Sequence, residues 1–194
     1  MAIQEPMTLA TDYILALLGV VWGVSLLRQG SRAARLWGYG FFAMAAGAFF
    51  GGTAHGFADW LDPSQHALVW RATTYSIGLA SFFLLAATGA DVLPCKLSRP
   101  LMLIAAVKLA VYLWWMGSHD EFRFVIYDYA PSMLVVLACH LWAWRSIGVD
   151  WAKWIVAGVL VSFAGAGVQM SGFALHQHFN HNDLYHVIQM FGLW

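Results

Sequence analysis

Long apolar runs separated by short polar segments dominate the pattern along the chain. A bilayer core of about 30 Å requires about 20 apolar residues of a helix, and six runs meet that length: 11–28, 38–57, 67–88, 99–117, 125–145 and 152–174. A seventh run extends from residue 183 to Trp194, which is about 18 Å of helix and too short to span alone. The pattern predicts an all-α, polytopic membrane protein in which seven transmembrane helices form a single domain over residues 1–194.

The loops between the predicted helices alternate in charge. One set is basic, with Arg or Lys at positions 28, 32, 35, 96, 99, 145 and 153. The other set has Asp or Glu at positions 59, 62, 120 and 121 and includes the histidine-rich segment before the last helix. Because basic loops stay on the cytoplasmic side, we expect the amino terminus outside and the carboxy terminus inside.

The composition supports a membrane location and excludes one class of partner. Hydrophobic residues make up 61% of the chain and charged residues 10%, whereas soluble domains are about 25% charged. The formal net charge is zero and no basic patch stands out, so we expect no nucleic-acid partner. We therefore expect an integral membrane protein that crosses the bilayer several times.

Histidines gather at the end predicted to face outside. The segment "HQHFNHNDLYHVIQ" (176–189) contains four of the eight histidines, and His55 follows small residues in "GGTAHGF" at the end of the second helix. His55 and His186 lie within apolar helices, where an ionisable group is costly and commonly functional. Asn180 or Asn182 is a suitable N-cap, which leaves His181 at or before the cap and free to turn inward.

Three imidazoles with one open position form the usual ligand set of catalytic zinc. The sequence therefore predicts a zinc site formed by His55, His181 and His186. The alternative is that the two helical histidines are structural, with ordinary hydrogen bonds. His176 and His178 are interpreted as solvated loop residues.

Other polar residues fall at the same end of the predicted helices. Arg71 and Asp128 lie in the outer halves of the third and fifth helices and are expected to pair, and Lys108 lies near the middle of the fourth. Asp183 is three residues before His186, so the two share one face of the last helix. These groups and Thr53 are the candidates for a general base or a substrate-binding group beside the metal.

The residues of "GGTAH" and "NHNDLYHVIQ" resemble the CREST superfamily, which contains alkaline ceramidases and adiponectin-type receptors. The resemblance implies seven helices and a zinc ion held by one histidine of helix 2 and two of helix 7, which correspond to His55, His186 and, after a shift of one residue, His181. The family serine of helix 2 falls on Gly51, and helix 3 lacks the family aspartate.

The resemblance implies a zinc-dependent membrane hydrolase of a lipid amide or ester bond, with a ceramide-like lipid as substrate. Asp183 or Asp128 is then the general base, and Arg71 or Thr53 stabilises the oxyanion. Two alternatives stay open: a non-catalytic receptor or sensor with a structural metal site, and a b-type haem protein with His55 and His186 as axial ligands.

Overall fold

A computed structural model describes residues 3–176 and 179–194, and this part of the chain forms seven α-helices. They are α1 (Pro6–Arg28), α2 (Arg32–Gly56), α3 (Pro63–Val92), α4 (Cys95–Met116), α5 (Phe122–Ser146), α6 (Ala152–Ser171) and α7 (His181–Leu193). The predicted number and order of helices are confirmed. Most helices extend beyond the apolar runs because polar residues at their ends are also helical. His178 lies outside the described residues.

Within the described residues, five helices are long and apolar enough to cross a membrane: α1, α3, α4, α5 and α6. The remaining two are α2, with 25 residues, and α7, with 13 residues. The chain is therefore an all-helical protein with several membrane-spanning candidates.

The helices form a bundle in which neighbours along the chain pack together. α2 packs between α1 and α3, α3 also contacts α4 and α5, α6 contacts α5 and α7, and α7 packs back onto α1. The main apolar core joins α3, α4, α5 and α6 and contains Leu84, Leu85, Ala105, Met133, Val136 and Val159. Because successive helices alternate in direction, the bundle has two ends. We call them the histidine end, where His55 and His186 lie, and the arginine end, where the loop between Arg28 and Arg35 lies.

Local sequence signals set the beginnings of several helices. Asp62 and Gln65 form a capping box at the start of α3, with Pro63 at the first helical position, where its missing N–H costs no hydrogen bond. Hydrogen bonds from Ser64 and from the backbone of Gln65 hold the pKa of Asp62 below its usual range. At the other end of a helix, Gly172 closes α6 with a left-handed φ of 69°, as glycine commonly does.

A glycine allows α1 and α2 to approach closely at the histidine end. A Cβ atom added at Gly52 would lie 2.8 Å from the Cβ atom of Asp12 and 3.2 Å from the ring of Tyr13. Real Cβ atoms do not come so near another carbon, so glycine at this position is what brings Asp12 against α2. The small residues before His55 therefore position a carboxylate of α1 as well as the histidine.

Candidate functional site

A buried carboxylate–imidazole contact joins α1 to α7 at the histidine end. The Nε2 atom of His186 lies 3.3 Å from the Oδ1 atom of Asp12. The Nδ1 atom of the same ring lies 3.0 Å from the hydroxyl of Thr11. All three residues are buried, so both ring nitrogens of His186 are in contact with side chains of α1.

The hydroxyl of Thr11 determines which nitrogen of His186 carries a proton. This hydroxyl lies 3.0 Å from the carbonyl of Met7 and 3.1 Å from that of Thr8, and a helical threonine donates to such carbonyls. Because its one hydrogen is donated to a carbonyl, the hydroxyl can only accept a further hydrogen bond, and the Nδ1 atom of His186 donates to it. The contact between Nε2 and Asp12 then holds one shared proton, as either a carboxylic acid with imidazole or a carboxylate with imidazolium.

Asp183 lies on the same face of α7 as His186 and has a donor on each oxygen. Its Oδ1 atom accepts from the hydroxyl of Thr8 at 2.9 Å, and its Oδ2 atom accepts from the backbone N–H of Asn180 at 2.7 Å. Asn180 is the N-cap of α7, as one of the two predicted alternatives, and forms a capping box with Asp183. Asp183 is 1% exposed, and its contacts tie the start of α7 to α1.

His55 lies beside this cluster, at the end of α2. Its Nδ1 atom is 3.5 Å from the Oε1 atom of Glu5, and the second carboxylate oxygen of Glu5 is 3.0 Å from the hydroxyl of Thr8. The imidazole meets the ring of Trp70 edge to face, with 6.1 Å between ring centroids. The side chain is about one-third exposed, so His55 is the more accessible of the two histidines.

Asp12, His55 and His186 all line one cavity of about 440 Å³, which we call the His186 cavity. Its other walls are largely apolar and come from α2, α3, α5, α6 and α7; they include Met44, Ile77, Val125, Tyr129, Phe163 and Tyr185. Small-molecule sites typically have this size and this combination of apolar walls with a few polar groups. The cavity therefore suits an amphipathic molecule whose polar part lies at the histidine end.

The expected pair between Arg71 and Asp128 is wrong. Asp128 pairs instead with Lys108, at 2.5 Å between Nζ and Oδ1, and Lys108 also donates to Ser81 at 2.8 Å. The guanidinium of Arg71 lies 3.5 Å from the carbonyl of Gly117. The carboxylate of Asp128 on α5 lies within reach of Lys108, whereas Arg71 lies about two turns inside α3, near its more exposed end.

Thr53 is also placed away from the cavity. Its hydroxyl lies 2.7 Å from the carbonyl of Phe49 and 3.0 Å from the hydroxyl of Tyr13. Thr53, Arg71 and Asp128 are not among the described residues that line the His186 cavity. Of the predicted residues, the structure therefore brings His55, Asp183 and His186 together. It places Thr53, Arg71 and Asp128 elsewhere.

The predicted zinc ligands do not converge in this arrangement. Across residues 3–176 and 179–194, no group of three or more His, Cys, Asp and Glu side chains is placed to hold a metal ion. His186 directs both ring nitrogens at α1, and His181 is the first residue of α7 rather than part of a turn before the cap. The described donors as arranged do not fit a zinc ion, so zinc binding stays a prediction.

Asp12 and Thr11 were absent from the set predicted from sequence. The signal was present, because "LATDYILALL" places an aspartate in the first turns of an apolar helix, where an ionisable residue is costly. What the sequence lacks is any local indication that α7 supplies its partner, 174 positions later.

The apolar helices and the cluster within them define an integral multi-pass membrane protein. The sequence matches the family of unknown function DUF6962 over residues 7–194, and the chain belongs to that family. It is also similar to a UPF0060 membrane protein of Herminiimonas arsenicoxydans, with 34% identity over 70 residues. That match covers 36% of this chain and 63% of the relative. No solved structure matches the chain significantly.

Proposed function

We propose that this protein is a membrane-embedded hydrolase that cleaves an amide or ester bond of a lipid held in the His186 cavity. The observation that carries the proposal is the buried contact between Asp12 and His186 in the wall of a largely apolar cavity. The apolar walls suit lipid tails, and the pair supplies an acid–base group for the polar part. The sequence resemblance favours a ceramide-like lipid as the substrate.

In this mechanism Asp12 is the general base and His186 holds it in place. The proposed mechanism uses the carboxylate–imidazolium form of the pair, in which Nε2 of His186 donates to Oδ1 while Oδ2 lies on the side of Gly51. A water molecule attacks the substrate carbonyl and gives a proton to Asp12. When the tetrahedral intermediate collapses, the bond to nitrogen or oxygen breaks, and Asp12 returns the proton to the leaving amine or alcohol.

The proposal includes an orientation. The basic loops lie together at the arginine end, which the positive-inside rule assigns to the cytoplasm. The histidine end, the amino terminus and the His186 cavity then face outside, with the seven helices in the membrane. A lipid of the outer leaflet would reach the cavity without crossing the bilayer.

Hydrolysis of labelled lipid amides and esters by the purified full chain tests the proposal. We expect Asp12→Asn to lower kcat by about 10²-fold or more, the usual effect of removing a general base. Asp120→Asn, an exposed aspartate at the same end, is the matched control and should retain activity. Full activity in both Asp12→Asn and His186→Gln, or no turnover of any lipid amide or ester by folded protein, would reject the hydrolase.

A second candidate function is transport, and it rests on a second cavity. This cavity of about 690 Å³, which we call the Asp91 cavity, opens at the arginine end. The two cavities share wall residues: Met44, Tyr129, Met133, Val159, Ser162, Gln189 and Leu193. The two cavities are therefore neighbours, with these residues in the wall between them. Uptake of a solute into proteoliposomes under a pH gradient, lost in Asp12→Asn, would favour transport over hydrolysis.

A further inference from the structure

The Asp91 cavity has an acidic group in a wall that is otherwise neutral. It lies between α1, α2, α3, α5 and α6 and reaches the end of α7. Within the described part of the chain, Asp91 is the one acidic or basic side chain that lines it. The arginines and lysines of the neighbouring loops do not belong to the described wall, so the electrostatic character of the cavity comes from a carboxylate.

Several tryptophans line the cavity together with this carboxylate. Trp22, Trp37, Trp151 and Trp154 line the same cavity, and the indole N–H of Trp37 donates to the Oδ2 atom of Asp91 at 3.0 Å. The hydrogen bond fixes the orientation of both groups. It also occupies the edge of the Trp37 ring and leaves the electron-rich face for other contacts.

A buried histidine packs against two of these tryptophans. His140 is fully buried, and its Nδ1 atom donates to the carbonyl of Val136 at 2.8 Å. Its ring centroid lies 5.8 Å from that of Trp37 and 6.0 Å from that of Trp151. An indole of α2 and the indole at the N-cap of α6 are therefore packed against one buried group, which preorganises their positions in the cavity wall.

We propose that the Asp91 cavity is a binding site for an organic cation with apolar substituents, such as a quaternary ammonium. A carboxylate supplies the opposite charge, and indole faces attract organic cations through their ring quadrupoles. Deeper in the cavity the walls are apolar, with Met44, Leu84 and Met133, which suits the substituents. For a strongly hydrated metal ion, the described residues of this wall offer one carboxylate and no further charged ligand.

Binding of radiolabelled tetraphenylphosphonium to the full chain in a non-ionic detergent tests the site. Tetraphenylborate has the same shape and the opposite charge, so it is the matched probe. We expect saturable binding of the cation and none of the anion. Asp91→Asn should weaken cation binding at least 10-fold, whereas Asp150→Asn, an exposed aspartate at the same end, should leave it unchanged.

Two further variants make the outcome decisive. Trp22→Leu removes an indole that does not bind Asp91, and it should weaken binding several-fold even if Asp91→Asn does not fold. His186→Gln should leave cation binding unchanged, which separates this site from the proposed hydrolase. Equal binding of the anion, or unchanged cation binding in folded Asp91→Asn or in Trp22→Leu, would overturn the proposal.

Discussion

The imidazole of His186 and the carboxylate of Asp12 lie 3.3 Å apart and join the last helix of the chain to the first. Both side chains are buried, and an ionisable group in an apolar surrounding is tolerated when it is paired and hydrogen-bonded. The contact therefore links α1 to α7 at the histidine end, and the pair holds a buried proton.

Removing one partner of this pair should destabilise the protein. We expect Asp12→Ala or His186→Ala to lower the free energy of unfolding by about 3–5 kcal/mol, because each leaves the other group buried without its partner. The double variant Asp12→Leu/His186→Leu should recover much of that loss. A double-mutant cycle from reversible unfolding in detergent measures the coupling, and additive single effects would show that the pair is not coupled.

Replacement of Asp183 separates a structural role from the role of base predicted from sequence. Asp183→Ala removes acceptors of the Thr8 hydroxyl and the Asn180 backbone N–H, which should cost about 1–3 kcal/mol in unfolding free energy. Asp183→Asn retains one acceptor oxygen and should keep lipid hydrolysis within about 10-fold of the parent. A loss of 10²-fold or more in folded Asp183→Asn would return the base role to this residue.

The ion pair between Lys108 and Asp128 should be the main polar link between α4 and α5. Lys108→Met leaves a buried carboxylate whose Oδ2 atom already lacks a hydrogen-bond partner within the described residues. We expect a loss of about 3–5 kcal/mol and recovery in the double variant Lys108→Met/Asp128→Leu. Thermal unfolding in detergent measures both, and Lys96→Met, at the exposed start of α4, is the control with little expected effect. Unchanged unfolding of Lys108→Met would show that the pair does not stabilise the bundle.

The orientation can be tested with single cysteines after Cys95 and Cys139 are replaced by serine. We expect an impermeant thiol reagent added to intact cells to label Ser64→Cys, at the start of α3, and not Ser31→Cys, at the start of α2. Both positions should react after the membrane is permeabilised. Labelling of Ser31→Cys alone in intact cells would reverse the topology and place the His186 cavity on the cytoplasmic side.

Elemental analysis of the purified protein tests the zinc prediction. If His55, His181 and His186 hold zinc, the ion is stoichiometric in the parent and absent after His55→Ala or His186→Ala, whereas His66→Ala retains it. Binding would require the His186 ring to release Thr11 or Asp12, since both nitrogens contact α1. A protein free of zinc that hydrolyses lipids would assign the chemistry to Asp12 alone, and a Soret band would indicate the haem alternative.

The sequence by itself determined the helices, because the signals that produce them are local. Apolar runs of spanning length predict where helices form, and Asn180 three residues before Asp183 predicts a capped start for α7. The cost of an ionisable residue in an apolar run likewise singles out His186 without knowledge of its neighbours.

Only the tertiary structure decided which polar groups meet. Asp12 contacts His186 because α1 packs against α7 and because Gly52 lets α1 approach α2. Asp128 of α5 contacts Lys108 of α4 and not Arg71 of α3. Helices that are apolar on all sides carry little periodic signal for the face they bury. Their rotation is instead set by the close packing of small residues and by the pairing of buried charges, which are properties of the whole bundle.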